Sequence, residues 1–578
     1  LCRSIFCRSY LLQPSPMRAN MLSILVACVL CACGGTRPKE VAKGAWFELR
    51  TERFTVWTNG DPELATALID DLERFHQVLR ALTSAEEREA APPLRIFLAK
   101  DRASFASLTQ QGRDTYGLFR ATLRGNFAII DASALNVPDT VMASSRAILF
   151  HEYTHYMLSE TGARVPSWYN EGLAEYMSTT QFRDDGRYTV GCVPQYRAAW
   201  TEYLRWLPMS RVLEADNVGS LVSARSLTDS YAQAWYAVHY FYGDSARKRQ
   251  LNEYLRLWAG GMSPSAATQQ AFGMSTEQLD QLLQRYSKQP TFECMAVAPA
   301  KPFAAPQVRR TAMNDADAHL HVGDLLLATS GPTDAALEVL EEAARHAPFE
   351  PAVLLALARA HWLKAETGED LPEELAKARG FLEQAQKRAS ASAEAFAIEG
   401  HLRRLQAASL AKAGEPFSDV LLAARKAYRA AIRADEAMAE AYVGLGATYL
   451  LADNGSQEAQ VALEAAAFLL PLDTEIALML AKIHIARESS LQAVPALEYV
   501  VRWSKSIEQR DAAKTALQEL RDAAAAPGTA SDGASATAAT DAAPAPAVPT
   551  PPAAEAGAPE PDASKLGASR PGASKRRH

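Results

Sequence analysis

A chain of 578 residues is longer than one hydrophobic core can organise, so two or three folded units with connecting segments are expected. Hydrophobic residues make up 48% and charged residues 22%, an ordinary globular balance that leaves ample apolar material for a core. Sixty basic side chains against 67 acidic ones give a net charge of −7, which speaks against a nucleic-acid partner.

Residues 1–16, LCRSIFCRSYLLQPSP, begin without Met and carry neither apolar periodicity nor turn chemistry. They read as sequence upstream of a start at Met17 and are set aside from the fold. The short basic MRANM is then followed by an apolar stretch of about ten residues, long enough for a signal peptide and too short to span a bilayer. Leu30-Cys31-Ala32-Cys33 resembles a bacterial lipoprotein signal. The resemblance implies a signal over 17–33 and lipid on Cys33. It also implies an exported protein anchored on the periplasmic side of a membrane, the outer rather than the inner. Leu25-Val26-Ala27-Cys28 fits the same pattern, but cleavage there leaves an apolar core of about five residues. An ordinary cleaved signal would keep the export and remove the anchor. If Cys33 carries lipid, Cys192 and Cys294 are free to pair in an oxidising compartment.

The segment Trp46–Thr58 alternates apolar and polar residues in two stretches and reads as strand, ended by the turn residues Asn59-Gly60-Asp61-Pro62. Residues 62–82 place Leu64, Leu68, Leu72, Phe75 and Leu79 at helical spacing, and Leu94–Leu98 returns to strand character. Tyr116–Asp131 reads as a hairpin around Arg124-Gly125-Asn126, with the sheet edge expected within Gly125–Ile130.

Next comes His151-Glu152-Tyr153-Thr154-His155. On a helix its two imidazoles share one face and can hold one ion, while Glu152 can act as general base on a water. The segment Pro166–Tyr176, PSWYNEGLAEY, adds two carboxylates, Glu171 and Glu175, four residues apart. The HExxH motif followed by Asn-Glu-Gly resembles the gluzincin zinc metallopeptidases. With the preceding strands and the later SYAQAWYAVHYF, residues 44–290 look like the peptidase MA-like domain of exported bacterial proteins. The resemblance implies an α+β zincin-like domain with one Zn2+ per chain held by His151, His155 and Glu171. It further implies Glu175 orienting a ligand histidine, and peptide-bond hydrolysis by Glu152-assisted attack of a zinc-bound water. Fifteen residues lie between His155 and Glu171, where the better-known gluzincins use about eighteen or nineteen. The count therefore keeps Glu175 as the alternative ligand. Tyr231 is the candidate oxyanion donor, although its run, with Tyr236 and His239, also reads as helix packing.

Amphipathic runs at WTEYLRWL, SYAQAWYAVHYFYG and TEQLDQLLQRY make 200–290 mostly helical, and 291–315 reads as a linker. From 316 to 524 the chain is Ala- and Leu-rich, with small residues Gly323, Ala358, Gly400, Gly446 and Ala481 recurring at helix-pair spacing. This resembles tetratricopeptide repeats and implies an all-α array that binds a protein partner. Residues 525–578, rich in Ala and Pro without aromatics, are expected to be disordered. The expected activity is that of an exported zinc peptidase acting on peptides or proteins. The alternative is a non-catalytic repeat-binding lipoprotein with a structural or vestigial metal domain.

Overall fold

Alternating apolar residues with both faces buried organise the first half of the chain. The computed structural model describes residues 36–83, 93–110, 116–134, 144–162, 164–194, 204–215, 224–368, 371–389, 392–452, 455–504 and 506–525. The signal segment, Cys28, Cys33 and the tail past 525 lie outside them.

A short helix α1 (Pro38–Ala42) precedes the antiparallel strands β1 (Phe47–Arg50) and β2 (Phe54–Thr58). Helix α2 (Pro62–Thr83) crosses to β3 (Leu94–Ala99), which lies parallel to β2. Helix α3 (Arg102–Thr109), capped where the Asp101 carboxylate accepts from Ser104 N, leads to β4 (Gly117–Thr122) and β5 (Gly125–Asp131). These two strands form the expected hairpin, with Thr122 opposite Gly125. Helices α4 (Ser145–Glu160) and α5 (Ser167–Ser178) follow, then short strands β6 (Gln181–Phe182) and β7 (Tyr188–Val190). Next come α6 (Met209–Glu214), α7 (Ala224–Tyr242), α8 (Ser245–Ala259), α9 (Pro264–Phe272) and α10 (Thr276–Tyr286). The end of WTEYLRWL departs from expectation, since Leu204–Leu207 is not helical.

Residues 291–315 are not a free linker. They supply β8 (Met295–Val297), which joins β7 in a three-stranded sheet, and β9 (Arg309–Ala312), which pairs with β1. The main sheet thus has the order β4-β5-β3-β2-β1-β9. Its edge beside α4 is β4, not the Gly125–Ile130 strand expected from sequence, because β5 is held between β4 and β3. The Cys192–Cys294 disulfide ties the end of β7 to the start of β8.

Leu49, Val56, Ile96, Leu98 and Ile130 face one way, into a core with α2, α4, α5 and α7. Trp57, Phe97, Ala99, Phe127 and Ile129 face the other way. That second core is completed by α1, α3 and the first helices of the C-terminal half.

Among the described residues, the C-terminal half is five helix pairs and a last helix. The pairs are α11 (Asp315–Ser330) with α12 (Asp334–His346), α13 (Pro351–Glu366) with α14 (Leu371–Gln386), α15 (Ala393–Ala413) with α16 (Ser418–Ala434), α17 (Ala439–Leu451) with α18 (Gln457–Leu469), and α19 (Thr474–Ala486) with α20 (Ser490–Trp503); α21 (Ile507–Ala525) ends the run. Each recurring small residue sits on the first helix of its pair. A Cβ on Gly323 would stand 2.4 Å from Leu340, and one on Gly446 2.6 Å from Leu463. The small side chain is what lets the two helices of a pair meet. The spacing from Gly400 to Gly446 is absorbed by longer helices, 21 residues in α15 and 17 in α16, and that from Ala358 to Gly400 in part by the 16 residues of α14.

The array also touches the N-terminal half beyond the shared core. Arg124, at the β4–β5 turn, meets Glu394 at 3.4 Å and Glu440 at 3.7 Å. Arg164, between α4 and α5, donates to the Leu472 carbonyl at 2.7 Å, and Arg502 donates to the Trp258 carbonyl at 2.6 Å. No helix among the described residues is long and apolar enough to cross a membrane.

Candidate metal centre

Helix α4 begins where the Ser144 hydroxyl accepts from Ala147 N. Its buried side carries Leu149, Phe150, Tyr153 and Met157, and Phe150 stacks on Phe75 of α2 with centroids 4.0 Å apart. The Tyr153 hydroxyl, in the middle of the motif, hydrogen-bonds His76 Nδ1 at 2.8 Å. Burial, helped by Arg53 and Arg80, lowers His76 to about 3, so this ring is neutral and the bond to Tyr153 carries no charge. These contacts fix the rotation of α4 and turn His151, Glu152 and His155 away from the core, where all three are half-buried.

Helix α5 brings the second set of groups. Gly172 is required there, since a Cβ would stand 2.4 Å from the Ala234 carbonyl oxygen of α7. This close crossing seats Glu171, the preceding residue, opposite α4. His151 Nε2 and His155 Nε2 are 3.1 Å apart, and Glu171 Oε2 lies 3.5 Å from the first and 3.6 Å from the second. A tetrahedral zinc with donors at about 2.0–2.1 Å requires donor–donor edges of about 3.3–3.4 Å. The three atoms fit that ion, and the imidazole and carboxylate donor set suits zinc. The fifteen-residue separation is therefore no obstacle to Glu171.

Glu175 occupies a different place. Fully buried, it puts Oε1 3.8 Å from His151 Nδ1, the ring nitrogen on the side away from Glu171. It stands behind His151 and not among the three converging atoms. The matching group for His155 is Asn170, which sequence reasoning did not single out. Its Oδ1 lies 3.1 Å from His155 Nδ1 and can only accept, so Nδ1 carries the hydrogen and Nε2 keeps its lone pair for an ion. Without an ion, burial pulls His155 down, but the Glu171 carboxylate and Asn170 outweigh it and raise the ring to about 9. Burial would raise Glu171, yet His155 and His151 hold it well below the usual carboxylate range.

Glu152 lies against the backbone of the edge strand. A Cβ on Gly117 would stand 2.4 Å from Ile148 Cγ2 and 3.0 Å from Glu152 Cγ, so only glycine allows β4 this close to α4. An isolated glycine at the start of a strand was the available signal for this contact. Tyr231 sits half-buried on α7, one turn ahead of the Ala234–Gly172 crossing. Tyr236 and His239 are packing residues, as the plainer reading had them. Tyr236 is buried, and His239 is held by the Tyr286 hydroxyl at 2.7 Å and the Glu293 carbonyl at 3.1 Å.

No protein-family model matches the chain, and no curated protein matches it. Among solved structures, a thermophilic TPR protein of Thermus thermophilus is 20% identical and aligns with 35% of this chain and 99% of its own, at a TM-score of 0.29. At that score the similarity carries no weight for the fold. The repeat architecture stands on the helix pairs themselves.

Proposed function

We propose that the protein is an exported zinc-dependent metallopeptidase of gluzincin type. The observation that carries the reading is the donor triangle of His151, His155 and Glu171 with a further carboxylate, Glu152, beside it on the same helix as the two histidines. Zinc held there would polarise a scissile carbonyl and make a water reactive near neutral pH.

The chain's own residues supply the rest. Glu152 takes the proton of the attacking water and returns it to the leaving amine. Asn170 and Glu175 hold the two imidazoles in orientation from behind. The edge of β4, unpaired by any strand among the described residues, binds an extended peptide by main-chain hydrogen bonds, which selects for backbone and leaves side-chain choice to the surroundings. Tyr231 is the proposed oxyanion donor, on the strength of its place on the helix that crosses α5 at Gly172.

Export is supported by the Cys192–Cys294 disulfide, which persists in an oxidising compartment. Lipid on Cys33 would then anchor the protein on the periplasmic side of a membrane. Helical arrays of this kind present extended surfaces to proteins, and a protein partner on the helical repeats is part of the proposal.

The test is hydrolysis of an unbiased peptide library by the full chain. Cleavage should stop when zinc is removed with a chelator and return when zinc is added back. Cleavage indifferent to the chelator, or none by the zinc-loaded protein, would overturn the reading and favour a repeat-binding lipoprotein.

A further inference from the structure

Strand β4 and helix α4 run side by side away from the metal centre. At one end Gly117 lies against Ile148 and Glu152. At the other, Ala121 and Thr122 share a pocket with Ser159 and Glu160, five residue steps or about 17 Å along the strand. The far wall of this pocket belongs to the repeat array, where the turn from α18 to α19 carries Pro471 and Asp473 and the first turn of α19 carries Glu475. Its volume is about 380 Å³.

The lining carries three carboxylates beside the hydroxyls of Thr122, Ser159 and Thr474 and the amide of Gln509. It contains Glu160, Asp473 and Glu475, and no basic side chain among the described residues, although Arg164 holds the Leu472 carbonyl of the same turn. Asn126, only 8% exposed, donates from Nδ2 to Glu160 Oε1 at 3.1 Å, which leaves its Oδ1 as a buried acceptor with no partner. Partial burial and the neighbouring Asp473 charge raise the Glu475 carboxyl above its ordinary value. With Asp473 and Glu475 side by side and no basic side chain in the lining, an occupant that brings positive charge and hydrogen-bond donors complements the pocket.

We propose that this pocket is a distal substrate subsite that takes a lysine or arginine side chain of a peptide paired on the edge of β4. The proposal rests on the peptidase reading above. A peptide running antiparallel to β4, the more stable pairing, has its N-terminal part at the Thr122 end. The basic residue then falls about four to six positions upstream of the cleaved bond. The repeat array thus takes part in choosing the substrate.

The experiment uses full-length zinc-loaded Glu152→Gln and fluorescent peptides of about twelve residues. Lys, Arg or Glu is placed at successive positions, and the cleaved bond is mapped with wild type. A basic residue four to six positions upstream should bind about tenfold more tightly than Glu there. Adding Asp473→Asn and Glu475→Gln should bring the ratio to within about twofold. The Asn keeps the cap of α19, so folding is preserved. Peptides that end before that position should bind both proteins equally. Equal binding of Lys and Glu peptides, or a preference that survives the two substitutions, would overturn the subsite. Where wild type still cleaves, the peptidase reading stands without it; where wild type cleaves nothing, both fall.

Discussion

Gly117 has no side chain, and the close approach of β4 to Glu152 at the candidate metal centre depends on that. Ala in its place would press a methyl group into Ile148 and Glu152 without touching any metal donor. Gly117→Ala should lower kcat by roughly tenfold to a hundredfold through misplacement of the base. It should cost about 1–3 kcal/mol in stability, with zinc content unchanged. Parallel turnover and metal assays check this, and unaltered turnover would show that the Glu152 carboxylate tolerates displacement. The motif residues were legible because an i, i+4 pair on a helix has one geometry, whatever surrounds it. Asn170 was not legible, because its value lies in facing one nitrogen of a ring whose orientation is set by Tyr153, His76 and α2.

The elements show where periodicity succeeds and where it is blind. Helix pairs were readable from small residues at the crossings, since Gly323 and Gly446 each lie under a leucine of the partner helix. Which arm of the Tyr116–Asp131 hairpin forms the edge was misread, although the near-continuous apolar run of β5 is the mark of a strand buried on both faces, and β4 carries an exposed Arg120. Strand β9, Arg-Arg-Thr-Ala, is exposed at every residue and joins the sheet through backbone hydrogen bonds, with Arg310 also reaching Glu63 and the Phe47 ring, so apolar alternation could not reveal it. The pairing of Cys192 with Cys294 was left open by the sequence and is present in the fold, across 102 residues. Closing a loop of that length restricts the unfolded chain, so Cys192→Ser with Cys294→Ser should cost roughly 2–5 kcal/mol. Thermal unfolding with and without reductant measures it. A wild type whose transition is unmoved by full reduction would contradict the estimate.

For the whole molecule, the sequence suggested two domains on a linker, whereas the repeat array shares a core with the back of the main sheet. Large side chains buried there, such as Phe97, each contribute roughly 1.5–3 kcal/mol. The contact is strengthened by charges around the β4–β5 turn. Arg359 bonds Asp324 at 2.8 Å, and Glu440 meets both Arg124 and His401. Burial would raise Glu440, but His401, Arg124 and Arg359 prevail and hold it at about 2, below its ordinary value of about 4.5. A carboxyl lowered in the folded state stabilises fully above its unfolded value and loses that contribution as pH falls from about 4.5 to about 2. Denaturant titrations across that range should show a decline that is shallower in Glu440→Gln. Parallel declines in the two proteins would remove Glu440 from the account.

One paired measurement decides whether Glu152 is the base beside a zinc ion held by His151, His155 and Glu171. Zinc stoichiometry and peptide turnover are determined on the same preparations of wild type and Glu152→Gln. Both should hold one zinc per chain, and the variant should lose about a hundredfold to ten-thousandfold of its turnover. Equal turnover at equal zinc content would contradict that role.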